Sequence, residues 1–244
     1  MSKLNSTTLP TMYDLPSELP GETGVPDEFH IFQPQLLRET FQPKNYLADE
    51  VFVATDLNLY FDVHHLGWYK RPDWFAVVGV PRFYDNKDLR LSYVIWQEGI
   101  SPLIVIELLS PSTEKEDLGK TVRGRKKRPT KWEVYERILR VPYYFAYNRL
   151  NQEIRAFKLG GDTYIPFLPD EQGRYIISSI ELGLGLWQGR YQYIENNWLR
   201  WFDRDGNLIK TEVEQERQRT AEAEQRAQRL AEKLRELGLD PKSI

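Results

Sequence analysis

Apolar and polar positions alternate over several stretches of the chain. VFVATDLNLYFDV (51–63) interleaves β-branched and aromatic residues with polar ones, which predicts a half-buried strand or hairpin. Trp74–Val80 is a short unbroken apolar run and reads as a buried strand. LSYVIWQE (91–98) is a third strand-like run, and SPLIVIELLSPST (101–113) is the most hydrophobic segment of all. The period then changes. Thr130 followed by Glu133 has the spacing of a capping box, so a helix opens there, runs through WEVYERIL and stops near Pro142. YYFAYNR (143–149) and EIRAFKL (153–159) return to strand texture across a polar turn. TYIPFL and YIISSIELGLGLWQG continue it, and NNWLRWFDRDGNLI (196–209) reads as a short hairpin turning at Asp205-Gly206.

The two ends differ from this middle. Residues 1–30 hold four prolines and two glycines and read as an irregular lead-in, followed by a short helix around Pro34–Thr40. From Lys210 aromatics vanish, and eight basic and eight acidic residues crowd into 210–244. Val213, Thr220, Ala227 and Leu234 fall seven apart, as do Ala223, Leu230 and Leu237. Interleaved, these series draw the seam of a coiled coil, narrow and partly alanine, on a helix over 213–237. The expected organisation is therefore a lead-in (1–30), an α/β domain (31–209) and a charged helical tail (210–244), with a homodimer through the tail.

Composition narrows the chemistry. The 244 residues are 41% hydrophobic and 13% aromatic, ample for a packed core, so wholesale disorder is excluded. Cysteine is absent, which removes disulfides, thiol catalysis and cysteine-based metal sites. No stretch approaches ~20 uncharged apolar residues, so no membrane helix is expected. MSKLNSTTLP lacks the apolar run of a secretory signal, which points to the cytoplasm. The net charge of -3 argues against a general nucleic-acid coat, yet KTVRGRKKRPTK (120–131) carries seven basic residues and no acid.

Glu107 needs the most explanation, because it lies inside LIVIELL, where an unpaired carboxylate would cost several kcal/mol. Asp73 poses the same problem at the start of the Trp74–Val80 run. Carboxylates on adjacent central strands can converge on one divalent cation, and an oxygen-only ligand set favours Mg²⁺ or Mn²⁺. Such a site suits phosphodiester hydrolysis when a lysine stands nearby. Lys120, Lys126, Lys127 and Lys131 are candidates, and Asp117 is a further ligand or a partner for that lysine. The basic residues Lys120, Arg123, Arg125, Lys126, Lys127 and Arg128 suit contacts with a phosphate backbone. Asp62, His64 and His65 are a weaker metal motif, since adjacent strand residues point to opposite faces. His30 stands alone in the lead-in. Trp198 and Trp201 read as packing residues, and Ser110 and Ser112 lack a nearby histidine base.

The order RPD (71–73), VIELLSPST (105–113), Asp117, Lys131-x3-Tyr135 and VPYYFAYNR (141–149) resembles the Uma-two family of endonucleases. That family belongs to the restriction-endonuclease-like PD-(D/E)xK superfamily, and the resemblance covers roughly residues 30–200. It implies a mixed central sheet flanked by helices. It also implies Mg²⁺-dependent cleavage of DNA, with Asp73 and Glu107 on the metal. The superfamily's usual lysine, two residues after the glutamate, is replaced here by Leu109. The resemblance assigns its role to Lys131, supported by Asp117. Two other readings compete: an inactive nucleic-acid-binding module using the basic segment, and a scaffold acting through its tail.

Overall fold

A computed structural model describes residues 25–110, 113–121, 124 and 127–237. Helix α1 (Phe29–Thr40) is followed by strands β1 (Val51–Ala54), β2 (Leu59–Tyr60), β3 (Tyr69–Lys70), β4 (Trp74–Val78) and β5 (Tyr93–Val94). Next come a single helical turn α2 (Ile95–Glu98), β6 (Ile104–Leu108), a second turn α3 (Glu114–Asp117) and α4 (Lys131–Glu133). Helix α4 runs on as a π-type turn over Val134–Ile138. Strands β7 (Tyr143–Asn148), β8 (Glu153–Gly160), β9 (Thr163–Pro166), β10 (Tyr175–Ile177), β11 (Leu182–Tyr191) and β12 (Ile194–Phe202) lead to the last helix, α5 (Glu212–Glu236).

The central sheet has six strands in the order β1-β4-β6-β7-β8-β9. Only β6 and β7 run parallel, and the connection between them carries α3 and α4, as a parallel pair requires. This is the mixed sheet flanked by helices that the resemblance implied. Both of its faces are covered, so β6 is buried at every position. One face packs Trp74, Ile106 and Phe145 against α1 and the three-stranded sheet β10-β11-β12. The other packs Phe75, Val105 and Tyr144 against Val134, Tyr135 and Leu139 of the α4 segment.

Several boundaries move for identifiable reasons. Helix α1 begins at Phe29 rather than near Pro34, because Phe29 is buried and stacks on Trp198 at 5.3 Å. The Asp27 side chain also accepts the His30 backbone N–H there. The run at 91–98 splits into a two-residue strand and a helical turn that ends at Gly99, whose φ of 72° favours glycine. Asp205-Gly206 does turn the chain, but its far arm makes a single bridge, Phe202 to Leu208. The long partner of β12 is β11. Trp198 and Trp201 are buried.

Candidate active site

The register of β4 against β6 pairs Trp74 with Ile106, and one further step sets Asp73 opposite Glu107. Side chains alternate across a strand, so Asp73, Glu107 and the apolar Phe75 and Val105 share the face toward α4. The Asp73 backbone N–H donates to Glu107 Oε2 at 3.3 Å. Asp73 Oδ2 accepts from the Leu108 N–H at 2.6 Å. Each carboxylate is thus pinned by the other's strand.

The third member arrives through a helix cap. Thr130 Oγ1 accepts the Glu133 N–H while Glu133 Oε2 accepts the Thr130 N–H, which is the predicted capping box. The cap places Lys131 at the first helical position. Its Nζ lies 2.8 Å from Glu107 Oε2 and 3.1 Å from Asp117 Oδ1. Tyr135, one turn along, donates its hydroxyl to Glu107 Oε1 at 2.8 Å. The π-type turn, closed by Leu139 N–H to Val134 C=O, follows at once and buries Val134, Tyr135 and Glu136 together. Asp117 sits on α3 with 1% exposure, and its backbone carbonyl accepts the Tyr144 hydroxyl at 2.8 Å. The structure therefore brings Asp73, Glu107, Asp117 and Lys131 into one cluster.

Charge does not balance in this cluster, since three carboxylates face one ammonium. Burial pushes Glu107 well above the usual carboxylate range despite Lys131, and Asp73 is raised for the same reason. For Lys131, burial works against the charge. The carboxylates of Asp117, Glu107 and Asp73 outweigh it, and its ammonium is held well above the ordinary lysine value. Burial likewise pushes up the Tyr135 and Tyr144 hydroxyls, with Glu107 and Asp117 adding to it, so both stay protonated. Both carboxylate oxygens of Asp117 are buried and accept no hydrogen bond among the described residues.

That donor set suits a hard divalent cation, because it is all oxygen and carries surplus negative charge. Among the described residues no three His, Asp or Glu side chains form a ready cage. A cleft of 320 Å³ reaches the cluster at Asp117 and Lys131 and is lined as well by Tyr69, Lys70, Arg71 and Arg128, while Glu107 lies fully buried behind it. A larger hollow of 470 Å³ lies beside Phe41 and Val51 and has no carboxylate in its lining.

The basic segment divides. Arg128 reaches the cleft, its guanidinium 4.7 Å from the Tyr69 ring centre. Lys127 is exposed. Lys120 is exposed as well, and its charge acts on Glu153 of β8. Arg123, Arg125 and Lys126 lie outside the described residues. Asp62 and His65 pair at 2.8 Å, and the His65 ring stacks on Trp68 at 3.8 Å, away from the cluster.

Lys70 was not singled out by the sequence, and Tyr135 and His30 were named there without a role at the site. Lys70 is buried and pairs with Glu116 at 2.9 Å, and Glu116 also accepts the Lys131 backbone N–H at 3.1 Å. The pair ties β3 to α3 and α4. Tyr135 had a signal, since four residues after Lys131 falls on the same helical side. His30 had none. Its Nε2 sits 3.2 Å from the Leu108 carbonyl, across 78 positions of sequence.

The mixed central sheet flanked by helices, with Asp73 and Glu107 side by side beneath Lys131 of α4, is consistent with a restriction-endonuclease-like fold. The chain belongs to the Uma2 family ("Putative restriction endonuclease"), whose profile matches residues 25–193. No curated protein matches it. Among the described residues no helix is long and apolar enough to cross a membrane.

Proposed function

We propose that this protein is a metal-dependent DNA endonuclease that hydrolyses phosphodiester bonds at the Asp73–Glu107–Asp117–Lys131 cluster. The observation that carries the reading is the excess of buried carboxylate over ammonium beneath an open, basic-rimmed cleft. A buried surplus of negative charge is expensive unless a cation or a proton joins it. Asp73 and Glu107 would hold Mg²⁺ or Mn²⁺, with Asp117 close by. When bound, such an ion polarises the phosphodiester and makes water a better nucleophile. Lys131 keeps its proton and aims positive charge into the cleft, where the oxygens of the pentacoordinate phosphorus would gain negative charge. Tyr135 fixes one oxygen of Glu107, so the other faces Lys131 in a set geometry. Arg128, Lys127 and the rest of the 120–131 segment would hold the backbone on either side of the scissile bond. A homodimer through α5 would bring two such sites to two strands.

The test is nicking of supercoiled plasmid. The purified protein should nick with Mg²⁺ or Mn²⁺ and not with EDTA. Glu107→Gln and Asp73→Asn should each remove cleavage while leaving the circular-dichroism spectrum unchanged. Unaltered nicking by Glu107→Gln would refute the assignment. A second reading, a nucleic-acid-binding module without chemistry, is favoured by one observation: both Glu107 oxygens already accept hydrogen bonds. Isothermal titration with Mn²⁺ separates the two, because only the enzyme has metal affinity that Asp73→Asn abolishes.

A further inference from the structure

The small sheet β3-β2-β5 borders the cleft through Tyr69 and Lys70 of β3, and its two faces differ. Leu59, Lys70 and Tyr93 point inward and are buried. The register pairs Tyr60 with Tyr69 and Tyr60 with Val94, so these three share the outer face. Packing against that face is slight: Tyr60 and Tyr69 are half-buried, and Trp96, from the adjoining turn α2, is 40% exposed. The rings nevertheless form an unbroken row. Trp96 lies 6.4 Å from Tyr60, and Tyr60 lies 5.3 Å from Tyr69. Tyr69 in turn lines the cleft with Asp117 and Lys131, under the Arg128 guanidinium.

We propose that this row, Trp96–Tyr60–Tyr69, is a stacking path that leads an unpaired strand of nucleic acid into the cleft. A single-stranded segment such as a flap, gap or frayed end is then the preferred place of cleavage under the nuclease reading, on which this rests. Every base has a π-face, so aromatic side chains hold unpaired bases without regard to sequence. Bases inside a duplex are stacked on their neighbours and have no face to offer. The charges are arranged to match. Aromatic rings lie along one side, and Arg128 and the exposed Arg71 stand where the path meets the cleft. Arg71 is paired with Asp56 at 2.6 Å at the surface, a weak contact that a phosphate can displace. A fold that needed these rings only for its core would have buried them, as it buries Tyr93, Tyr135 and Tyr144.

The experiment measures binding in EDTA, so it does not depend on cleavage. Fluorescein-labelled dT20 and a 20-base-pair duplex are titrated by anisotropy against the full chain, Trp96→Ala and Trp96→Phe. The wild type should prefer dT20. Trp96→Ala should weaken dT20 by about 5- to 150-fold, the range for one lost base–aromatic stack, and leave the duplex within about 2-fold. Trp96→Phe should restore most of the loss, which a general disturbance of the fold would not. Loss of dT20 affinity with duplex affinity intact supports the proposal whether or not the protein cleaves DNA. Equal affinity of wild type for the two probes, or an equal effect of Trp96→Ala on both, overturns it and leaves the nuclease reading standing on its own assay.

Discussion

Lys131 has more negative charge around it than it can neutralise, and that imbalance separates two substitutions that look alike. Lys131→Met removes the ammonium that touches both Glu107 and Asp117, leaving buried carboxylates facing one another. Removing one partner of a buried pair costs about 3–5 kcal/mol, and that loss should appear in urea unfolding without metal. Glu107→Gln instead takes away one of the surplus charges, keeps the volume, and can turn its amide oxygen to Lys131 and the Asp73 N–H while its NH2 donates to the Tyr135 hydroxyl oxygen. It should be neutral or slightly stabilising in the same measurement. An equal loss for both would mean that the cluster is a balanced ion pair. A second residue-level test concerns Asp27, His30 and Arg149, which fasten the start of α1. Burial alone would raise Asp27, but the hydrogen bond and charge of His30 and the charge of Arg149 outweigh it and bring it down to about 2. Burial alone would lower His30, but Asp27 and the Asp73 charge raise it. The Asp27 contribution is present above its unfolded value of 3.8 and fades as pH falls toward 2. The His30 contribution is full below 6.5 and is lost as pH rises through its raised value. The stability difference between wild type and Asp27→Asn should therefore peak between pH 3.8 and 6.5 and shrink on both sides. A flat difference would mean that the contact is not made in solution.

At the scale of elements, the segment from Lys120 to Lys131 joins α3 to α4 beside the site. Replacing Lys127 and Arg128 with Gln should weaken duplex binding and reduce its log–log salt slope by about 0.9 for each lost phosphate contact. An unaltered slope would mean that these side chains touch no backbone. The elements also show what a sequence can and cannot reveal. Glu107 was legible because a charge inside an apolar strand violates the cost of burial, and the violation needs no partner to be seen. The Thr130–Glu133 box was legible because capping is local, and it fixed where Lys131 begins its helix. The same box recurs at Thr211 and Glu214 but was not legible, since a charged tail offers no apolar run to mark the start. Lys70 and His30 were not legible for a different reason. Each acts through a contact set by how strands and helices assemble, 46 residues away for Lys70 and 78 for His30. The π-type turn was invisible because its extra residue leaves no composition signal.

At the scale of the molecule, the charged tail carries the continuous helix α5, none of whose residues is buried. It is nonetheless anchored. Arg200 of β12 is buried and donates to Glu214 at 2.8 Å and to the Ile209 carbonyl at 2.7 Å, with its guanidinium 4.6 Å from the Trp187 ring centre. Cutting the chain at Ile209 would leave that guanidinium without its carboxylate, so loss of the tail and damage to the domain would be confused. A chain ending at Thr220 keeps the cap and the pair while removing the apolar part of the seam. That part, Ala223, Ala227, Leu230, Leu234 and Leu237, buries little area per turn, so pairing should be modest and concentration-dependent. The flanking charges select an orientation. In a parallel pair Glu212 meets Arg217 of the second copy, and Arg219 meets its Glu224. An antiparallel pair centred on the same seam would set Glu224 against Glu224 and Arg226 against Arg226. Light scattering should therefore show a dimer for the full chain and a monomer for the chain ending at Thr220. Arg219→Glu should weaken the dimer, and adding Glu224→Arg should recover it. One oligomeric state for all four chains would leave α5 as a helix that carries the domain's charge to some other partner.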